Sequence, residues 1–192
     1  MSDQQQVHKG VNDGTQFMTI DDVEKGCPQY YHAFVCYNPE GADMQFVKNL
    51  LNKLESAPYN FKLCVPGRDD LPGGSTHTIS ARLIKERCRR MLIIMSPRYL
   101  ESEVCDFQTK FAVSLSPGAR SMRLVPCLIE DCQVPDILRP LTKLDYTRGD
   151  SHWTWNRLVH ALKVSLNSTE WEGSRSELSL QLLSDFSKIN DS

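Results

Sequence analysis

Asp69 and Asp70 stand side by side, as a pair of carboxylates that could hold a metal ion or exchange a proton would. Adjacent loop residues point apart, however, and an aspartate in a loop more often bonds local backbone amides, the reading preferred here. The five histidines, His8, His32, His77, His152 and His160, show no ligand spacing with one another or with the cysteines. The seven cysteines, Cys27, Cys36, Cys64, Cys88, Cys105, Cys127 and Cys132, are odd in number and include no C-x-x-C pair. They suggest neither a disulfide framework nor a zinc knuckle, and are expected to be reduced core thiols. Neither G-x-G-x-x-G nor G-x-x-x-x-G-K-[ST] occurs, so both phosphate cradles are missing. No catalytic, cofactor-binding or metal-binding residue is therefore assigned.

A formal net charge of −2 over 192 residues argues against generic nucleic-acid binding, which needs cations facing phosphates. The longest apolar run is Met91 to Met95, far short of the about 20 residues that span a bilayer. Met1 to Gly10 is polar and lacks the apolar stretch of a secretory signal. The expectation is a cytoplasmic chain with no membrane insertion.

Five apolar segments could form strands: Tyr31–Tyr37, Phe61–Val65, Met91–Met95, Leu124–Ile129 and the shorter Leu141–Tyr146. Pro126 sets a local limit on pairing in the fourth. Helical spacing appears between them. Phe46, Val47, Leu50, Leu51 and Leu54 form one stripe, and Ile79, Leu83, Ile84 and Cys88 a second. Val104, Phe107, Phe111 and Leu115 form a third, and Trp155, Leu158, Val159, Leu162 and Leu166 a fourth. Strands alternating with helices predict an α/β domain with a parallel sheet covered on both sides. Arg82, Lys85, Arg87, Arg89 and Arg90 read as a solvated basic helix end, or as a patch that steers an acidic partner. Residues 1–26 read as a flexible leader, 27–166 as the domain and 167–192 as a tail. In that tail Ser174 and Glu177 have capping-box spacing ahead of Leu178, Leu182, Leu183 and Phe186. A short amphipathic helix is expected there, either packed on the domain or bound to a partner.

Folding alone explains the segment Pro66 to Gly74 least well. Two prolines and three glycines forbid regular structure, and Arg68, Asp69, Asp70 and Leu71 lie at its centre. Leu71 beside Pro72 makes an apolar tip flanked by charge, the composition of a contact anchor. The same residues would also serve as an ordinary long connector.

These segments resemble the Toll/interleukin-1 receptor (TIR) family. Tyr31 to Tyr37 is similar to its first box, and Arg68-Asp69-Asp70-Leu71-Pro72-Gly73 to its second, the BB loop. Asp145-Tyr146-Thr147 and Trp155-Asn156-Arg157-Leu158 resemble the end of the domain, where the third box lies. Arg87 to Met91, Glu103 to Ala112 and Ser114 to Ala119 resemble the signalling adaptors within the family. The likeness spans about residues 20 to 166. It implies a flavodoxin-like five-stranded parallel sheet of order 2-1-3-4-5 with helices on both faces. It also implies a non-enzymatic, cytoplasmic adaptor module in innate immune signalling. Its partners would be TIR domains of Toll-like or interleukin-1-type receptors, those of adaptors, and copies of itself. Arg68, Asp69, Asp70, Leu71, Pro72, Gly73, Trp155 and Arg157 would carry these contacts, with no cofactor.

Three departures from the pattern stand out. His32 replaces the usual Asp of the first box, and Thr154 precedes Trp155 where Phe is usual. Some family members hydrolyse NAD with a glutamate in a Cys-x-x-Glu segment, and here that segment is Cys105-Asp106-Phe107-Gln108. A neutral amide neither carries the negative charge nor accepts the proton, so loss of hydrolase activity is expected, with NAD glycohydrolase as the alternative reading. Adaptors of this kind carry an N-terminal death domain, which the residues before the domain are too few to form. The sequence is then either the TIR portion of a longer protein or a natural short form, and a short form would bind receptors without relaying a signal, as a modulator or competitor.

Overall fold

A computed structural model of the chain describes residues 17–116, 123–149 and 152–164. The expected tail over 167–192 lies outside them, as does the first part of the expected leader.

Five strands form one parallel sheet of order β2-β1-β3-β4-β5: β1 (Tyr31–Cys36), β2 (Leu63–Cys64), β3 (Cys88–Met95), β4 (Leu124–Leu128) and β5 (Leu144–Asp145). This is the flavodoxin-like arrangement expected from the resemblance. Met91 to Met95 in β3 are fully buried, as a central strand covered on both faces requires. The edge strands β2 and β5 are two residues each, and short edges resist pairing with stray strands.

The side chains of β1 divide between two cores. Phe34 and Cys36 face one, and Ala33, Val35 and Tyr37 the other. On the second face lie α2 (Gly41–Leu54) and α6 (His152–Lys163), which contribute Val47, Leu50, Leu54, Trp155, Leu158 and Val159. The opposite face is covered by α3 (Thr76–Arg82), α4 (Pro97–Glu101) and α5 (Glu103–Ser114). Even-numbered residues of β4 turn their backbone toward β5, as the Tyr146 N–H donating to Leu128 O shows. The N–H that Pro126 lacks is therefore missing on the β5 side, and this accounts for how short β5 is.

The structure changes three expectations. Residues 17–26 are not all leader: Thr19 caps a short helix α1 (Ile20–Lys25), and Met18, Thr19 and Asp22 are fully buried or nearly so. The basic stretch is not a solvated helix end. The chain passes from α3 through a π-helical turn, Leu83–Arg87, directly into β3 at Cys88. Arg87 and Arg90 are buried there, while Arg89 is exposed. Arg90 donates to Val164 O at 3.0 Å. Arg123 donates to Ile84 O, Lys85 O and Cys88 O, satisfying the carbonyls that the turn leaves open. Burial lowers the Arg123 pKa to about 10. Finally, α5 turns Cys105, Gln108, Thr109 and Ala112 inward, leaving Val104, Phe107 and Phe111 only half-buried. Phe107 instead meets His77 of α3 edge-to-face at 4.5 Å.

Candidate interaction site

The loop from Pro66 to Gly74 leaves the carboxyl end of β2 and ends at Ser75, the N-cap of α3. Its first half is tied down at every residue. The Tyr37 hydroxyl donates to Pro66 O at 3.1 Å. Asp69 accepts the Val65 N–H at 2.7 Å, and Asp70 accepts the Gly67 N–H at a very short distance. Both carboxylates are thus occupied with backbone N–H groups four and three residues earlier in the chain, and they fold the start of the loop back on itself. Gly67 lies at φ +81°, where a side chain would be strained.

Arg68 closes the base of the loop. Its guanidinium reaches both Glu55 oxygens, at 2.7 and 2.9 Å, and also Leu63 O and both Asp69 oxygens. The Glu55 carboxylate, and Asp69 after it, hold the group charged and raise its pKa. Only a planar fork makes this set of bonds.

The segment before β1 holds the loop from the other side. Thr19 and Asp70 form an antiparallel bridge, flanked by Ile20 N–H to Asp69 O at 2.8 Å and Leu71 N–H to Met18 O at 2.9 Å. Asp22 anchors this strap. Its carboxylate accepts the N–H groups of Met18, Thr19 and Gln29, with Arg87 Nη1 at 3.6 Å. Burial works against the charge, but the three backbone donors outweigh it and the pKa is lowered. The Tyr31 hydroxyl donates to Thr19 Oγ1 at 3.0 Å and completes the joint. These residues were missed as part of the site. The Thr19-x-x-Asp22 spacing, a capping box one methylene short, was the signal that could have found them.

Beyond this joint the loop is presented outward. Leu71 is half-buried, and Pro72, Gly73 and Gly74 are exposed. Arg68, Asp69, Asp70, Leu71, Pro72 and Gly73 therefore form one unit, in which the first three residues build the base and the last three form the tip.

Trp155 and Arg157 lie apart from it on α6. Trp155 is buried, stacked on Phe46 at 6.1 Å and edge-on to Tyr146 at 5.1 Å, with Lys53 Nζ 4.2 Å from its centroid. The partner contact expected of Trp155 is incompatible with that position, because an indole enclosed by its own core presents no surface. Arg157 is exposed and carries no hydrogen bond or ion pair among the described residues.

Gln108 is 2% exposed, and its Nε2 donates to Ser80 Oγ at 3.0 Å. His32, the departure in the first box, accepts the Lys62 N–H on Nδ1 at 2.9 Å and meets Phe61 edge-on. Burial lowers its pKa. Five cysteines, Cys36, Cys64, Cys88, Cys105 and Cys127, are buried free thiols. Among the described residues no three His, Cys, Asp or Glu side chains are placed to share a metal ion, and no helix is long and apolar enough to cross a membrane.

Residues 33–162 match the family model described as the TIR domain. Similar solved structures include the TIR domain of the Toll-related receptor TRR-2 from Hydra magnipapillata. It is 29% identical with a TM-score of 0.60, over 70% of this chain and 99% of that one. A TIR-STING receptor from C. gigas is also 29% identical, with a TM-score of 0.57, over 71% of this chain but 41% of the receptor. A prokaryotic SEFIR domain, at 15% identity and a TM-score of 0.52, shares the fold alone. With the sheet order, the loop after β2 and a match over most of its length, the chain belongs to the TIR-domain family.

Proposed function

We propose that this chain is an adaptor-type TIR module that works by binding and catalyses nothing. It is similar in its segments to the TIR domain of the myeloid differentiation primary response adaptor. In this reading it acts in the cytoplasm, in the Toll-like receptor pathway of innate immunity and the inflammatory response. Its partners are TIR domains of Toll-like or interleukin-1-type receptors, those of adaptors, and copies of itself, engaged through the tip of the loop. One observation carries the reading. The base of the loop is fixed by Arg68, Asp69, Asp70 and the Met18–Ile20 strap, so Leu71 to Gly74 are carried outward on a held base. A base ordered before binding reduces the entropy lost on docking, which favours association.

The hydrolase reading has less support. Gln108 stands where the family's hydrolases carry a glutamate, and its amide is committed to Ser80.

Pro72→His tests the proposal. The exposed tip tolerates the change with a stability shift within about 0.5 kcal/mol, and capture of receptor and adaptor TIR domains is lost. Capture that persists at full strength in a normally folded variant would rule the loop out as the contact. Purified protein incubated with NAD at high concentration is expected to release no nicotinamide.

A further inference from the structure

Two exposed apolar faces remain outside the loop. On α1, Ile20 and Val23 are 44% and 53% exposed at a spacing of three, beside the exposed Glu24. This face continues directly into the loop through the Ile20–Asp69 and Met18–Leu71 hydrogen bonds. On α6, Trp153 is 79% exposed, and Val164, just past the helix end and bonded back to His160 O, is 54% exposed on the same stripe, with the exposed Arg157 and His160 between them. An indole open to solvent to this degree is uncommon, and tryptophan and arginine dominate binding energy at contact surfaces.

The two faces differ in charge. Glu24 borders the first, and Asp21 nearby is already joined to Lys62 at 2.8 Å. The second offers Arg157 without an ion pair among the described residues. They cannot meet within one chain: α6 covers the core that contains Leu158 and Leu162, whereas the strap packs through Met18 into the core on the opposite side of the sheet.

We infer that the α1 face of one copy, with Ile20, Val23 and Glu24, docks on the α6 face of a second copy, with Trp153, Arg157 and Val164. The contact joins two different surfaces, so each copy keeps one of each free, and repetition gives an open assembly unless the rotation closes a ring. The inference rests on the self-association proposed above and names a pair of faces that reinforces the loop tip. Burial of Trp153 supplies affinity, and the Glu24–Arg157 pair sets the register.

The test is sedimentation of the whole chain across concentration, for the unaltered protein, Glu24→Arg, Arg157→Glu, the double reversal and Trp153→Ala. All three positions changed are exposed, so melting temperatures should agree with the unaltered chain, and circular dichroism checks this. Each single reversal is expected to weaken association about tenfold, and the double reversal to recover most of the loss. Trp153→Ala should weaken it at least as much. If the singles have no effect, or the double reversal is no better than either single, the pairing of faces is wrong. Association abolished by Pro72→His but indifferent to these changes would overturn this inference and leave the loop reading intact. An unaltered chain that stays monomeric at every concentration would overturn both the pairing and the self-association beneath it.

Discussion

Gln108 is the residue at which the proposed binding reading and the hydrolase alternative part, and its surroundings bear on both. Its amide donates to Ser80 from a site that is 2% exposed. Gln108→Glu would place a carboxylate there with one hydroxyl partner, and burial would favour its protonated form. The variant is expected to remain inactive on NAD, because restoring the side chain does not restore a solvated, charged environment. It should also lose about 1–3 kcal/mol of stability through the poorly solvated acid. Release of nicotinamide by Gln108→Glu would show that the rest of a hydrolytic site is in place. The identity of residue 108 was legible in the sequence, but its orientation was not. The apolar stripe of α5 pointed to Val104, Phe107 and Phe111 as the inner face. The helix turns its small and polar side chains inward because Gln108 and Thr109 find hydroxyl partners in Ser80 and Tyr99, the latter at 2.7 Å. Periodicity weighs hydrophobicity and is blind to polar groups that are satisfied only after folding.

At the level of elements, the loop and its strap form one mechanical unit, and separate substitutions should expose its parts. Arg68→Ala removes the fork that joins Glu55, Leu63 O and Asp69. Because the side chain is 40% exposed, the ion pairs count for little, and the expected loss is about 1 kcal/mol. The larger effect falls on binding, since the base that orients the tip is loosened. Arg68→Lys should recover little of it, because a single ammonium cannot span the same acceptors. Asp22→Asn acts from the strap. It weakens three backbone hydrogen bonds and leaves buried Arg87 facing a neutral group, at a cost of about 2–3 kcal/mol. Hydrogen exchange should quicken at the amides of Ile20 and Leu71, which hold the bridge to the loop. Unchanged exchange at Leu71 would mean that the strap does not set the loop. The loop was conspicuous in the sequence because proline, glycine and charge are concentrated there. The strap was not, because six helical residues carry no periodicity of their own and gain their structure from the bridge to Asp70. Trp155 was legible in part. The stripe it shares with Leu158, Val159 and Leu162 marked it as inward-facing, whereas its enclosure by Phe46, from a distant helix, and by Tyr146, from the segment just before α6, is set by tertiary packing.

Across the whole molecule, three titratable groups on separate elements give the fold a pH dependence whose directions can be worked out. His32 is held neutral, with its pKa lowered by burial from 6.5, and its Nδ1 accepts the Lys62 N–H. A depressed pKa means that the unfolded chain takes up the proton first. The stability linked to His32 is complete above the unfolded value and declines as pH falls through the folded one. Asp22 behaves in the same way in a lower range, beginning at 3.8, so the strap should hold until well below the pH at which His32 yields. Asp43 runs the other way. Burial raises its pKa above 3.8, and its contribution is fully present only in acid and is lost as pH rises through the folded value. Between neutrality and mildly acidic pH, His32 is therefore the group that governs stability. Protonation breaks the bond from Lys62 at a cost of about 1 kcal/mol, which is about 2–4 °C in melting temperature for a domain of this size. Calorimetry on the native chain should show that fall as pH is lowered through 6.5, whereas His32→Gln, which has no proton to gain, should melt at a nearly constant temperature over the same interval. Equal slopes for the two proteins would place the pH sensitivity elsewhere than at the joint between β1 and β2.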